Sequence, residues 1–272
     1  MKSQYTDSGN EGDDYMITDK PVGVLDSGVG GISILRALVR YLPCENFVFY
    51  GDSANAPYGD RSEEEIHELT MNSTSVLLKK DCKAVVLACN TATAAAIKDL
   101  RQMYPDIPMI GLEPALKPAV LHKKNSRIIV MATSFTLKSQ KYLDLRNRYV
   151  DQAEIISLPC PGIVPFVERQ ETYSPELLAY LHTEFDPYLD KKIDGIVLGC
   201  THFPFVKRAI REVVGPDTIL YDSADGVGRQ VMRQLESHNL LNTSHVKGTV
   251  ELLNSKGPEG VELCRKLLYQ SI

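Results

Sequence analysis

Short runs of apolar, often β-branched residues alternate with helix-like segments along most of the chain. The runs lie at residues 22–25, 47–50, 84–87, 108–111, 127–131, 154–157, 195–198, 218–221 and 249–253. In the segments between them, apolar residues recur with the helical period, as at Ile32, Leu35 and Leu38. Strands that alternate with helices predict an α/β fold with parallel sheets and helices on both faces.

The alternation restarts near residues 114–118, where Pro114 and Pro118 flank a new strand–helix series. This restart predicts two lobes. The first twenty residues differ from the rest, since they carry acidic residues among Gly and Ser and have neither a basic nor an apolar signal region. We predict that residues 1–20 form a disordered polar tail.

One local arrangement occurs twice: a strand-like run, a small residue, a cysteine, a small polar residue and a helix. The first copy surrounds Cys89 and the second surrounds Cys200, 111 residues later. Backbone N–H groups at the start of a helix favour an anion, here a thiolate. Two thiols in equivalent corners of related lobes predict a reaction that needs one base on each face of its substrate.

Free cysteines are often simple core residues, so the repeated context is what favours a function for Cys89 and Cys200. A thiolate–thiol pair can carry a proton through a flat carbanion, because one side removes the proton and the other returns it. Such acid–base catalysis typically contributes ~10²–10⁴-fold per group. A Cα–H beside a carboxylate also needs hydrogen-bond donors on that carboxylate, and Asn90, Thr91 and Thr201 adjoin the thiols.

Further residues of polar loops follow predicted strands, at the strand ends outside which ligands bind in such folds. They include Asp26, Ser27, Pro57, Tyr58, Gly59, Thr133, Glu168, His202, Asp222 and Ser223. Asp26 can accept a hydrogen bond from an ammonium group, whereas Glu168 taken alone is typical of a surface helix. The glycines after Asp26 suit a tight turn and form neither a dinucleotide loop nor a P-loop. Because these loops converge at the strand ends, they predict a binding site between the two lobes.

Composition narrows the class of function. A net charge of −5 and the absence of Trp argue against a broad surface for binding nucleic acid. The sequence contains no run of 18 apolar residues, which is about the length needed to span a bilayer. Six scattered cysteines without a Cys-x-x-Cys pair predict reduced thiols in a cytoplasmic protein. A single Cys-x-His motif does not have the ligand spacing that is typical of zinc sites, so we predict that the protein binds no metal ion.

Four stretches resemble the glutamate racemase family, whose members make D-glutamate for bacterial peptidoglycan without a cofactor. They are residues 26–31 (DSGVGG), 52–59, 88–92 (ACNTA) and 199–204 (GCTHFP). The resemblance covers about residues 22–225, and the two cysteine motifs in this order are highly specific. The family usually has Gly in the loop 133–136, where this chain has Phe135.

The resemblance implies two pseudosymmetric α/β lobes, each a mainly parallel sheet flanked by helices, with glutamate in the cleft between them. We assign residues 21–115 and 225–272 to the first lobe and 116–224 to the second. Cys89 is expected to take the Cα proton from D-glutamate and Cys200 from L-glutamate. Asp26 is expected to assist Cys89, and Glu168 and His202 to assist Cys200.

The same resemblance implies the residues that hold the substrate. They are Asp26, Ser27, Pro57, Tyr58, Gly59, Cys89, Asn90, Thr91, Thr133, Thr136, Cys200, Thr201 and His202. We also expect a homodimer that supplies D-glutamate for cell-wall synthesis and cell shape. The polar tail resembles that of family members regulated by a peptidoglycan precursor.

Three other functions stay open. A racemase for aspartate or another amino acid would differ in its side-chain pocket. Cys200 and His202 could be a nucleophile pair for amide hydrolysis, which would leave Cys89 without a role. A protein that only binds an amino acid would not exchange the Cα proton in D₂O.

Overall fold

The computed structural model describes residues 16–270, which form two separate parallel sheets covered by helices. The strands are β1 Val22–Asp26, β2 Phe47–Gly51, β3 Ala84–Leu87, β4 Met109–Gly111, β5 Ser126–Ala132, β6 Ala153–Pro159, β7 Gly195–Leu198, β8 Ile219–Tyr221 and β9 Val250–Asn254. The five-stranded sheet has the order β4-β3-β1-β2-β9, and the four-stranded sheet has the order β6-β5-β7-β8. Every pairing is parallel. The predicted α/β class with two parallel sheets is confirmed.

Eleven α-helices flank these sheets within the described residues. They are α1 Ile32–Tyr41, α2 Glu63–Leu78, α3 Asn90–Met103, α4 Leu116–His122, α5 Ser134–Lys138, α6 Gln140–Asn147, α7 Ile163–Glu168, α8 Pro175–Phe185, α9 Lys207–Val214, α10 Ala224–Ser237 and α11 Pro258–Tyr269. No helix between residues 16 and 270 has both the length and the apolar character needed to cross a bilayer.

The central strands lie under helices on both faces, which is why they read as continuous apolar runs. Every residue of β1, β3 and β7 is buried. We call the part built on the five-stranded sheet the first lobe and the part built on the four-stranded sheet the second lobe. The chain passes from the first sheet to the second between β4 and β5 and returns between β8 and β9. Helix α10 packs on α1 after this return.

The helices differ from the sequence prediction at three places. Helix α4 was not predicted, because Pro118 looked like a break. Proline is tolerated in the first turn of a helix, and Leu116, Ala119 and Val120 form the buried face of α4. The sequence pattern predicts a single helix from Ser134 to about Arg148, but the structure has two helices there, since Ser139 is extended and its hydroxyl accepts a hydrogen bond from Tyr142 N at 3.3 Å. Helix α3 begins at Asn90, directly after Cys89, although the sequence pattern predicts its start at Ala94.

The ordered chain begins before Pro21, earlier than the sequence predicted. Residues 1–15 of the predicted tail lie outside the described residues, but Ile17–Asp19 form a 3₁₀ turn. The Asn46 side chain donates to the Asp19 carbonyl at 2.9 Å, and Lys83 Nζ donates to the Thr18 carbonyl.

A buried ion pair lies at the amino ends of two strands in the first sheet. Lys83 precedes β3 and Glu45 precedes β2, and their Nζ and Oε2 atoms are 2.5 Å apart. The two side chains are 0% and 1% exposed. Glu45 Oε1 also accepts a hydrogen bond from Asn242 N at 2.7 Å. The pair thus joins the N-terminal segment, two strands and the segment after α10.

Candidate active site

Cys89 and Cys200 occupy equivalent positions at the carboxyl ends of the inner strands β3 and β7. One thiol comes from each sheet, and both line a single pocket between the lobes. Their residues are 6% and 8% exposed. The structure thus brings together the two strand ends that the sequence pattern singled out, because parallel strands of both sheets direct these ends toward the same cleft.

Most of the predicted substrate-binding residues line this pocket. They are Ser27, Pro57, Tyr58, Gly59, Cys89, Asn90, Thr91, Thr133, Cys200, Thr201 and His202. Gly199 and Val164 complete the walls but were not predicted as site residues. Gly199 lies inside the second cysteine motif, whereas nothing in the sequence distinguishes Val164 from an ordinary core residue. Asp26, Thr136 and Glu168 do not line the pocket; each contacts residues that do.

Cys89 is held at the start of α3 as the residue that caps the helix. Its Sγ accepts a hydrogen bond from Ala92 N at 3.4 Å and lies 3.4 Å from Ser27 Oγ. Burial, followed by the charge of Asp26, raises the pKa of Cys89 to about 12. The hydrogen bond from the helix start lowers that pKa but does not overcome burial. In this buried position Cys89 is a thiol rather than the thiolate that its helix position suggested.

Cys200 begins a chain of contacts that crosses to the first lobe. Its Sγ is 3.8 Å from His202 Nδ1, and His202 Nε2 is 2.8 Å from Glu168 Oε1. The same Glu168 oxygen accepts a hydrogen bond from Val29 N at 2.9 Å. The sequence alone indicated a surface role for Glu168, but its side chain is only 12% exposed. Glu168 therefore fixes both the His202 ring and the position of the first lobe beside it.

The buried His202–Glu168 pair favours a protonated imidazole. Burial by itself lowers the pKa of His202, but the hydrogen bonds with Cys200 and Glu168 raise it well above its usual value. Burial raises the pKa of Glu168, and the hydrogen bond and charge of His202 outweigh this, so that the net pKa is lowered. An imidazolium thus lies beside the Cys200 sulfur, where it stabilises negative charge.

Asp26 lies behind the pocket wall and is fully buried. Its carboxylate accepts hydrogen bonds from Gly28 N at 2.9 Å and from Thr201 Oγ1 at 3.0 Å. Burial raises the pKa of Asp26, against the charge of His202 and these hydrogen bonds. Asp26 therefore links the turn after β1 to the residue that follows Cys200.

Two glycines of this turn are needed for a reason that the sequence did not reveal. A Cβ on Gly28 would be 2.1 Å from Glu168 Oε1, and one on Gly30 would be 2.3 Å from His202 Nδ1. Any side chain there would displace the His202–Glu168 pair. The turn of the first lobe is thus shaped to fit the His202–Glu168 pair of the second lobe.

A cluster of three threonine hydroxyls joins the lobes on the Cys89 side. Thr91 Oγ1 of the first lobe is 3.0 Å from Thr133 Oγ1 and 3.3 Å from Thr136 Oγ1, and Thr133 donates to Thr136 at 2.9 Å. Phe135, the departure from the resembling family, packs against the apolar group that contains Tyr58 and Cys89. The substitution therefore adds apolar cover and leaves the threonine contacts formed.

The closed pocket is small. Its free volume is about 20 Å³, which is about the space of one water molecule. Residues 16–270 contain no group of three His, Cys, Asp or Glu side chains arranged to hold a metal ion. A pocket of this volume is too small for an amino acid, so its walls, which come from both lobes, must move to admit one.

Comparison with known proteins agrees with this geometry. The profile of the Asp/Glu/Hydantoin racemase family matches residues 23–226. The glutamate racemase of Clostridium novyi is 46% identical over 254 residues, which are 93% of this chain and 98% of the relative. The crystal structure of Thermus thermophilus glutamate racemase with beta-chloro-D-alanine is 34% identical, with a TM-score of 0.76 over 93% of this chain and 94% of that one. The Escherichia coli glutamate racemase in complex with L-glutamate and the activator UDP-MurNAc-ala has 29% identity and a TM-score of 0.78, covering 92% and 94% of the two chains. The resemblance found in the sequence is confirmed, and the chain belongs to the Asp/Glu/Hydantoin racemase family.

Proposed function

We propose that this chain interconverts L- and D-glutamate by a two-base proton transfer that uses no cofactor. The observation that carries the proposal is the opposition of Cys89 and Cys200, one from each sheet, across a single pocket. A thiolate on Cys200 takes the Cα proton of L-glutamate, and the electron pair is held in a flat carbanion. The Cys89 thiol then donates its proton to the opposite face, which gives D-glutamate and a Cys89 thiolate. D-glutamate reacts by the reverse steps.

The proposed roles of the remaining residues follow from their contacts. His202 and Glu168 stabilise the Cys200 thiolate, and Asp26 positions Thr201 and the turn after β1. Within the described residues, Asn90 Oδ1 is buried without a hydrogen-bond partner. Such an acceptor costs ~1–3 kcal/mol if unpaired, and an ammonium group in the pocket would supply the missing donor.

Glutamate is the preferred substrate in this proposal because the pocket offers hydroxyl donors beyond the reacting carbon. Thr91, Thr133 and Thr136 bond to one another in the closed state, and they would exchange these bonds for a side-chain carboxylate. Aspartate, shorter by one methylene, would leave buried hydroxyls poorly paired.

Circular dichroism of purified protein with each enantiomer tests the proposal. With no cofactor added, solutions of L-glutamate and of D-glutamate both lose their optical signal, and aspartate keeps its signal. A requirement for pyridoxal phosphate or a metal would refute the mechanism, and faster turnover of aspartate would refute the substrate.

Glu168→Gln is expected to lower the pKa of His202, because the imidazolium loses its charged partner. We also expect racemization to fall by roughly 10–100-fold, since hydrogen bonds to charged groups contribute about 1.5–3 kcal/mol. Imidazole NMR over a pH series measures the first effect. In the wild type, His202 stays protonated as the pH rises above 6.5, the usual value for histidine, and in the variant it loses its proton at lower pH. An unchanged titration would mean that Glu168 does not set the charge of His202.

A peptidoglycan precursor as activator is a further part of the proposal, supported by the activator named for the Escherichia coli relative. A cleft of about 970 Å³ on the described surface carries the side chains of Arg101, Lys117, Lys141, Arg229 and Arg233. Three carboxylates line it as well, and each is already in an ion pair: Glu113 with Lys141, Asp222 with Lys207 and Asp225 with Arg40. The remaining cations suit the pyrophosphate of a nucleotide-linked sugar.

We expect UDP-MurNAc-Ala to increase the racemization rate of the wild type, and Lys117→Ala and Arg233→Ala to weaken this response about tenfold in half-saturating concentration. Each removes a charged contact to phosphate. Lys79→Ala is the matched control, because Lys79 is exposed and lies outside the cleft. An equal response in all four proteins would place the activator elsewhere.

The cellular setting stays a prediction. We propose that the enzyme supplies D-glutamate for peptidoglycan synthesis in the cytoplasm and acts as a homodimer. Sedimentation velocity of the purified protein measures the oligomeric state directly.

A further inference from the structure

The chain passes between the lobes through two short segments, which we call the crossings. The first crossing, residues 112–115, leads from β4 to α4, which packs on strands of the second sheet. The second crossing, residues 222–223, leads from β8 to α10, which packs on α1 of the first lobe. Because these segments carry the covalent connection, the lobes must rotate about them when they separate.

The crossings are bonded to each other. Ser223 Oγ donates a hydrogen bond to the Glu113 carbonyl at 2.7 Å, and Ser223 is buried. Ion pairs fasten each crossing to the second lobe: Glu113 to Lys141 at 2.7 Å and Asp222 to Lys207 at 2.6 Å. The Ser223 hydroxyl thus joins two segments that are otherwise held separately.

The Ser223 hydroxyl makes this bond instead of the one that its position favours. Ser223 precedes the first residue of α10, where a serine side chain usually accepts a hydrogen bond from its own helix. No such bond is present, and Asp222 Oδ1 accepts from Ala224 N at 3.0 Å instead. Local helix stability therefore does not explain a serine that is turned toward the first crossing.

The second crossing also reaches the active site. Asp222 and Ser223 line a small cavity together with Asn90, Cys200 and Thr201. Across this cavity, Ser33 Oγ of the first lobe donates to the Thr201 carbonyl at 2.9 Å. Movement of the crossing would therefore change the walls around Cys200.

We propose that the Ser223–Glu113 hydrogen bond is a positioning contact that holds the lobes in the closed arrangement, in which both thiols share one pocket. Without it, the two crossings separate more easily and the open state becomes more populated. This inference rests on the proposed function in one respect only, namely that closure of the lobes serves racemization.

Thiol alkylation of Ser223→Ala, read by mass spectrometry at each cysteine, tests this inference without reference to catalysis. We expect iodoacetamide to modify Cys89 and Cys200 about fivefold faster than in the wild type, because one net hydrogen bond typically changes an equilibrium by about that factor. Cys82 and Cys264, buried in the first lobe, should keep their rates.

Two variants and one kinetic measurement complete the test. Ser223→Thr keeps a hydroxyl and should restore the wild-type rates. Ser237→Ala, whose hydroxyl bonds only within α10 and its end, should match the wild type. With glutamate, Ser223→Ala should raise KM by less than the alkylation rates rise, because the closed state remains the main one, and kcat should change less than twofold, since the acid–base residues are intact.

Unchanged alkylation of Cys89 and Cys200 in Ser223→Ala would overturn the inference. Equal acceleration at Cys82 and Cys264 would also overturn it, because that pattern indicates general loosening. If the wild type does not racemize glutamate but the alkylation pattern holds, the proposed function fails and the closing contact stands.

Discussion

Cys89→Ser and Cys200→Ser are each expected to lose racemization of both enantiomers, by roughly 10²–10⁴-fold. Each thiol removes the proton in one direction and returns it in the other, so either substitution interrupts both directions. A serine hydroxyl nearly preserves the shape of the side chain but is too weak an acid to act as the base without further activation. Circular dichroism of L- and D-glutamate solutions measures the loss.

Cys82→Ser is the matched control for this prediction. Cys82 precedes β3 and Cys89 follows it, both are buried, and burial raises the pKa of each to about 12. Only Cys89 lines the pocket, so Cys82→Ser should keep its racemization rate. Amide hydrolysis that survives Cys89→Ser, with no racemization in the wild type, would favour the amide hydrolase alternative, in which Cys200 and His202 act without the first thiol.

Glu45→Gln is expected to lower the free energy of unfolding by about 3–5 kcal/mol, because it leaves the buried Lys83 ammonium without its charged partner. Burial lowers the pKa of Lys83, and Glu45 works against this shift. Urea denaturation, followed by far-ultraviolet circular dichroism, measures the change. The double variant Glu45→Leu/Lys83→Met should recover much of the loss, since a buried pair can often be replaced by apolar residues.

Glu251→Gln provides the comparison for the buried pair. Lys80 and Glu251 also form an ion pair, with Nζ and Oε1 2.6 Å apart, but their side chains are 41% and 46% exposed. Exposed pairs contribute about 0–1 kcal/mol, so this variant should differ little from the wild type. Equal losses in both variants would mean that burial does not determine the effect at Glu45.

The sheets could be predicted from the sequence because strands buried on both faces are almost entirely apolar. The runs at β1, β3 and β7 lie in their predicted places for this reason. The helices were harder, since single residues decide their limits. Pro118 lies inside α4 rather than ending a segment, and Ser139 divides a predicted helix in two.

The candidate site could be predicted only in part, because strand ends are visible in a sequence and contacts between lobes are not. The pattern indicated both thiols and the polar loops beside them. It did not indicate that Gly28 and Gly30 make room for Glu168 and His202. The protonation of Cys89 also depends on burial, which outweighs the helix start that the sequence revealed.

The isotope content of the first product formed in D₂O tests the central claim, two opposed thiols, most directly. Two bases predict that early D-glutamate made from L-glutamate carries deuterium at Cα, while the remaining L-glutamate keeps its hydrogen, and that the mirror result holds from D-glutamate. Proton NMR combined with chiral separation measures both pools. Early product that retains the original Cα hydrogen would indicate a single base and would contradict the account.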